Sequence, residues 1–394
     1  MANLEPLIQS IPVAPLKLAS LEGCRTLADQ VNNYLVSFRH ESPTNVGQAD
    51  SLQGYCADSY LLECECPRFG SGEGKGVLKE SVRGCDLFIM VDVTNYSLTY
   101  RVNGYENHMS PDNHYQDLKR IISAADGKAR RINVIMPFLY EGRQHKRSKR
   151  ESLDCALMLQ ELVDMGVSNI LTFDAHDPRV QNAIPLSGFE TVRPTYQFVK
   201  GLLDRYDDLI IDSDHMMAIS PDEGATERAV YLANVLNLDM GMFYKRRDYT
   251  RVVNGRNPIV AHEFLGSSVE GKDVIILDDM ISSGDSILDV AKQLKSRNAK
   301  RIFAAATFGL FTNGLDKFDE AYESGLIDGV LTTNLIYQTP ELLSRPYYIN
   351  CDMSKYVALM IDTLNHDGSI SDILDPSERI QVCVEEYKKA HGQL

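Results

Sequence analysis

Apolar runs of four to eight residues recur along the chain, each closed by polar, Gly or Pro positions and followed by helical periodicity. They are Leu87–Val93, Ile132–Pro137, Ile170–Asp174, Met217–Pro221, Met240–Tyr244, Val274–Asp278, Ile302–Thr307 and Val330–Asn334. Continuous apolar runs of this length predict strands buried on both faces. The intervening segments read as amphipathic helices. One is Ser152–Met165, with Leu153, Ala156, Leu157, Leu159, Leu162 and Val163 placed inward; Ala225–Leu236 and Ser286–Ser296 are two more. Strands alternating with helices predict βαβ units and an α/β architecture of mainly parallel sheet, and a break near Pro194 divides the strands into two sheets. The polar stretch His40–Ser59 reads as a long surface loop. After Pro376 a helical pattern returns (Ile380, Val382, Val384, Tyr387) with no indication of what it covers.

The chain has 394 residues, of which 44% are hydrophobic, and at roughly 150 residues per domain that length predicts two or three domains. No apolar run approaches the roughly 20 residues that span a bilayer, and Met1–Ser20 lacks the basic, apolar and small-residue succession of a secretory signal. A net charge of −15 argues against non-specific binding to nucleic acid or to an acidic membrane. The eight cysteines form no CxxC pair. Cys64 and Cys66 have no His or second Cys pair at zinc spacing, so a reducing, cytoplasmic compartment with ordinary thiols is expected.

The sharpest local signal is VIILDDMISSGDS, Val274 to Ser286. A buried strand ends in two carboxylates, and a Ser/Gly turn then opens a helix. Ligands of parallel sheets bind beyond the carboxyl ends of the strands, and turn amides with a helix N-terminus favour a phosphate. Ser282, Ser283 and Ser286 add hydroxyls, and Gly284 permits close approach or positive φ. Asp278 and Asp279 would repel phosphate but suit vicinal hydroxyls of a sugar or a cation held by it. A phosphorylated sugar satisfies both halves.

This segment resembles the phosphoribosyl pyrophosphate loop, shared by type I phosphoribosyltransferases and by the synthetases that make their substrate. The loop alone does not separate the two classes. The chain ahead of it does, through five further stretches that resemble the phosphoribosyl pyrophosphate synthetases (ribose-phosphate pyrophosphokinases). In FGSGEGKGVLKESVRGCDLFIM, Phe69 to Met90, the resemblance makes Phe69, Ser71 and Glu73 contacts to the nucleotide; Phe69 would stack on a purine and Glu73 accept from its exocyclic amine. In INVIMPFLYEGRQHKRSKRESL, Ile132 to Leu153, Arg143 and Gln144 are nucleotide contacts by the same resemblance, ahead of a basic run (Lys146, Arg147, Lys149, Arg150) suited to polyphosphate. His145 stands where relatives carry an acid and receives no role. ILTFDAHDP, Ile170 to Pro178, matches the segment whose Asp and His meet the metal–nucleotide complex, which assigns Asp174 and His176. ISPDEGATERAV, Ile219 to Val230, brings Asp222 as a magnesium and ribose-phosphate contact, and FYKRRDYTRV, from Phe243, opens a basic flap in which Lys245 and Arg247 close over the transferring phosphates.

The resemblance runs from about Leu16 to about Leu374, TFGLF (Thr307–Phe311) and TTNLIYQ (Thr332–Gln338) included. It implies two type I phosphoribosyltransferase-like domains. One spans 1–195 with the helix at about 352–374 and takes ATP; the other spans 196–351 and takes ribose 5-phosphate; 375–394 is an extension. It implies Mg²⁺ held near Asp174, His176 and Asp222, the sugar phosphate held by Asp278, Asp279, Ser282, Ser283, Gly284, Asp285 and Ser286, catalysis by Lys245, Arg247 and His176, and a homo-oligomer. The reaction implied is attack of the C1 hydroxyl of ribose 5-phosphate on the β-phosphorus of ATP, where positioning and charge neutralisation carry the catalysis. Two departures stand at the loop: relatives place Asp at Ser282 and Gly at Asp285. Asp285 brings a negative charge beside the expected 5-phosphate unless its side chain turns away. The alternatives are a synthetase-like regulatory protein with impaired turnover and a phosphoribosyltransferase.

Overall fold

The computed structural model describes residues 11–41, 54–247 and 259–393, with the backbone alone at 245–247 and 259–262. Its strands form two large sheets. In the first lobe the order is Gly188–Val192, Val167–Phe173, Arg131–Ile135, Asp86–Met90, Leu16–Ser20, Leu61–Leu62, every pairing parallel. In the second it is Ile259–Leu265, Asp239–Arg247, Met216–Ser220, Asp273–Ile281, Ile302–Gly309, Gly329–Thr333, Tyr348–Cys351. Only the pairing of Ile259–Leu265 with Asp239–Arg247 is antiparallel. Both sheets are covered on both faces, which is why their central strands are apolar throughout.

Helices Pro111–Ala125 and Asp154–Asp164 close one face of the first sheet over Leu87, Ile89 and Val134. Ser110 starts the former with a reciprocal capping box to Asn113. On the other face, Arg25–Glu41 and Ser354–Asn365 pack over Phe88, Met90 and Leu171. In the second lobe, Thr195–Arg205, Thr226–Leu236 and Ser377–Ala390 share one core, and Asp285–Lys295 and Asp316–Glu323 lie against the other. Among the described residues no helix is long and apolar enough to cross a membrane. All eight thiols are free.

All eight expected strands and the three expected helices are present, with one correction of face. Asp154–Asp164 buries Cys155, Met158, Leu159 and Leu162, and Leu157 is 59% exposed. The buried set is a single i, i+3, i+4, i+7 stripe, whereas the expected six-residue set spread over too wide an arc for one helix to bury. The polar stretch His40–Ser59 is also shorter as a loop than expected: His40 and Glu41 finish a helix, and Tyr55 is buried against the Arg39 guanidinium, with its hydroxyl at the His366 ring; residues 42–53 lie outside the described set. The C-terminal helix buries Ile380, Val384 and Tyr387 on the second lobe. Arg379 ties that helix back to Tyr356 and the Ile373 carbonyl.

The two lobes meet at the carboxyl ends of their strands. Phe138 and Phe308 pack edge to face at 5.0 Å, and the Tyr337 amide donates to buried Asp92 at 2.7 Å.

Candidate active site between the two lobes

The strand Asp273–Ile281 lies between Met216–Ser220 and Ile302–Gly309 and is buried along most of its length. Its end carries Asp278, half-buried, and Asp279, buried, and the Asp279 amide donates to the Asp278 carboxylate at 2.9 Å. The chain then turns through Ser282, Ser283 and Gly284 into helix Asp285–Lys295. Gly284 is required twice. Its φ is +82°, and a Cβ there would sit 2.4 Å from the Phe318 ring. The Thr312 amide donates to the Ser282 carbonyl at 2.9 Å and pins the loop's first residue. The Asp285 side chain is paired on both oxygens: one takes Lys317 Nζ at 2.5 Å and the other takes the Ser283 hydroxyl at 3.0 Å. The ammonium of Lys317, followed by the Ser283 hydroxyl, holds this carboxyl below its ordinary range.

From the first lobe, the strand Val167–Phe173 runs into Asp174, which adopts φ +39°, and then into His176. His176 Nδ1 lies 2.7 Å from Asp279 Oδ2, so residues 103 apart in sequence meet across the lobes. Asp174 is buried, and its oxygens accept from Arg228 Nε and from the Thr307 hydroxyl, each at 2.7 Å. Both donors belong to the second lobe. Asp174 is thus a brace between lobes, and a φ in the left-handed region, costly outside glycine, turns it there while the chain continues to His176.

The electrostatics are uneven. Burial, then the neighbouring charges of Asp279 and Asp222, push the Asp278 carboxyl well above the ordinary range. Burial would raise Asp279 as well, but the His176 hydrogen bond and the Arg228 charge outweigh it and the net shift is downward. Asp174 is raised, by burial above all, against the pull of Arg228 and Thr307. Asp222 begins the turn after Met216–Ser220 and accepts from the Gly224 and Ala225 amides at 2.9 and 3.3 Å.

Arg143 and Gln144 follow Phe138 on the first lobe's rim. Arg143 lines a cavity of ≈ 630 Å³ with Phe138, Tyr140, Leu310, Phe311 and Thr312, at the seam of the lobes. Gln144 donates to the Ser152 carbonyl at 2.7 Å and closes the basic loop between them. His145, given no role from the sequence, packs against His176 with ring centroids 5.3 Å apart and lies 3.5 Å from Asp177. Burial is the main reason its imidazole titrates below its usual value.

Not every expected contact gathers here. Phe69, Ser71 and Glu73 sit on a tight turn in which the Phe69 amide donates to the Glu73 carbonyl, and Ser71 donates to Glu73. Among the described residues neither of these contacts reaches His176 or Asp279, and Phe69 is 55% exposed. Lys245 and Arg247 lie on the strand Asp239–Arg247, and their side chains, with the flap 248–258, fall outside the described set. Arg228, Thr307 and Lys317 were not picked out from the sequence, because each acts through a partner far along the chain.

The model of the N-terminal domain of ribose phosphate pyrophosphokinase matches residues 16–166, and that of the phosphoribosyl transferase domain matches 193–331. The ribose-phosphate pyrophosphokinase of Mycoplasma genitalium is 30% identical over 275 residues, 69% of this chain and 75% of that protein. That of Shewanella oneidensis is 29% identical over 312 residues, 77% of this chain and 88% of that protein. In fold, the phosphoribosylpyrophosphate synthetase of Mycobacterium smegmatis superposes with a TM-score of 0.68 at 23% identity, covering 90% of this chain and 99% of that one.

Proposed function

This chain belongs to the ribose-phosphate pyrophosphokinase family, and we propose that it transfers the diphosphoryl group of ATP to the C1 hydroxyl of ribose 5-phosphate. The C1 oxygen attacks the β-phosphorus, the bond from that phosphorus to the α–β bridging oxygen breaks, and AMP departs with the bridging oxygen. The hydroxyl proton leaves to solvent. The observation that carries the reading is the 2.7 Å contact of His176 with Asp279. It sets the segment expected to meet the nucleotide against the segment expected to orient the sugar.

In this reading the amides of 282–286 and the Ser282 and Ser286 hydroxyls hold the 5-phosphate, and Asp278 and Asp279 orient the ribose hydroxyls. Asp279 fixes His176 through Nδ1, which aims the other ring nitrogen toward the nucleotide phosphates. Arg143 and Gln144 border the nucleotide, and Phe69, Ser71 and Glu73 contact its base. Lys245 and Arg247 neutralise charge as AMP leaves, the effect that dominates transfers of this kind.

Magnesium fits the donor set. Asp278 is driven toward protonation partly by Asp279 and Asp222, a crowding that a hard dication relieves. Among the described residues no three or more such side chains form a ready-made cluster, as suits an ion that takes one or two carboxylates and completes its octahedron with substrate oxygens and water. Asp222 and His176 would hold it; Asp174, committed to Arg228 and Thr307, is the least available of the three residues expected. The ion would supply charge neutralisation on the phosphate oxygens. Assembly as a homo-oligomer and cytoplasmic residence complete the proposal.

The reading is tested by AMP formation from ATP and magnesium with and without ribose 5-phosphate. Sugar-dependent AMP is expected. ATP binding without sugar-dependent AMP would return the impaired regulatory alternative.

A further inference from the structure

The phosphate loop of this chain carries an acid where a phosphate is expected to bind. Asp285 is the first residue of helix Asp285–Lys295, the position at which a carboxylate and a bound phosphate compete for the same partial positive charge. It also engages the loop itself through the Ser283 hydroxyl at 3.0 Å. Its other oxygen takes the ammonium of Lys317, on helix Asp316–Glu323, at 2.5 Å.

We propose that Lys317 is a positioning residue for ribose 5-phosphate: it holds one oxygen of the Asp285 carboxylate and offsets that carboxylate's charge at the mouth of the phosphate loop. The inference rests on the reading of the loop as the sugar-phosphate site. Two observations support it. The same helix that supplies Lys317 supplies Phe318, whose ring lies where a Gly284 Cβ would stand, so the ammonium is delivered from a fixed platform. Both Asp285 and Lys317 are about half exposed, with side-chain exposures of 54% and 52%. A pair so placed contributes little to stability, which leaves its electrostatic effect on an incoming dianion as its main consequence.

The test is a cycle on the full-length protein. Lys317→Ala leaves Asp285 uncompensated, and the KM for ribose 5-phosphate is expected to rise about five- to tenfold, the size of a nearby unit charge acting on a dianion through partly solvated surroundings. The kcat at saturating sugar should fall far less. Lys317→Arg should restore most of the affinity. Adding Asp285→Gly to Lys317→Ala should bring the KM back toward the starting value, because no charge remains to compensate. The KM increase of Lys317→Ala should also shrink at 0.5 M salt, where the Debye length falls to about 4 Å. A merely structural lysine would show neither rescue by removal of its partner nor salt sensitivity. An unchanged KM in Lys317→Ala, or a KM that stays high in the double variant, overturns the inference. Absence of sugar-dependent AMP from the unaltered protein would instead overturn the proposed function; direct titration with ribose 5-phosphate then still reads the pair, since affinity must fall in Lys317→Ala and recover in the double variant.

Discussion

Two short segments are expected to grip substrate, the loop 282–286 and the turn Phe69–Glu73, and they are built in opposite ways. The loop grows from a strand buried in mid-sheet, its glycine is fitted against Phe318, and its first carbonyl is pinned by Thr312. The turn projects from a two-residue strand, Cys64–Glu65, paired with Val77–Leu78. Its base is held by Arg68, which forks onto Asp117 at 2.7 and 2.8 Å, and Val102 of a neighbouring hairpin packs against Gly72. The contrast follows from the two tasks. A phosphate is recognised by several N–H groups that must all point at one place, so the backbone has to be fixed from beneath. A base is recognised largely by a face, which tolerates a shift of the ring along it.

The contrast makes the interlobe brace the costliest part to remove. Arg228→Met leaves Asp174 buried without its guanidinium, and losing one partner of a buried pair costs about 3–5 kcal/mol. The pH dependence has a definite sign. Burial already holds the folded Asp174 carboxyl above its ordinary value, and loss of Arg228 raises it further. The folded state then prefers the protonated acid, so the deficit is smallest near the unfolded value of about 3.9 and grows as pH rises through the raised folded value. Urea unfolding at pH 5 and pH 7.5 should show the larger loss at pH 7.5. Equal losses at the two pH values would mean that Asp174 is not the group affected.

Next in size is Lys245→Ala. If Lys245 neutralises charge on the departing AMP as proposed, its removal should cost about 100-fold or more in kcat, with a smaller change in KM, by analogy with loss of one donor to a developing oxyanion. Steady-state kinetics in both substrates checks it, and full turnover in the variant removes the flap from the mechanism. Gly284→Ala follows. A left-handed residue with a Cβ costs roughly 1–2 kcal/mol, and relief of the contact with Phe318 adds about 1–3 kcal/mol. Binding of ribose 5-phosphate should weaken more than binding of ATP; equal weakening would deny the loop its assigned substrate.

The sequence disclosed what is local and hid what is paired at a distance. The central strands were legible because burial on both faces writes them as unbroken apolar runs. Leu16–Ser20 was not, although its neighbours bury it, because Lys17 interrupts the run and snorkels to Glu80 at 2.8 Å. Gly188–Val192, an edge strand with Glu190 and Thr191, lacks the pattern for the same reason that edges need not be apolar. The hairpin Thr99–Val102 with Tyr105–His108 did carry a signal, Asn103-Gly104 with φ of 51° and 84°, the most specific short cue for a two-residue hairpin turn. At the site, each motif announced its residue types. That His176 reaches Asp279, that Arg228 serves Asp174, and that Lys317 cancels Asp285 are facts of tertiary packing. No spacing along the chain encodes them.

Phe69→Ala gives the smallest effect and the sharpest reading of the contrast. Phe69 is 55% exposed, so its truncation removes little buried surface and the thermal midpoint should move by no more than about 1–2 °C, the range of an ordinary surface change. If the ring stacks on adenine, the KM for ATP should rise about fivefold or more, the low end of a base–aromatic stack by alanine substitution, with the KM for ribose 5-phosphate held. Phe69→Tyr should keep the face and hence the affinity. A variant with normal KM for ATP would sever the turn from the nucleotide. The ≈ 630 Å³ cavity at the seam, where Arg143 meets Phe138, Tyr140 and Phe311, would then be the next place to look for the base, and Phe311→Ala would take over as the variant that decides it.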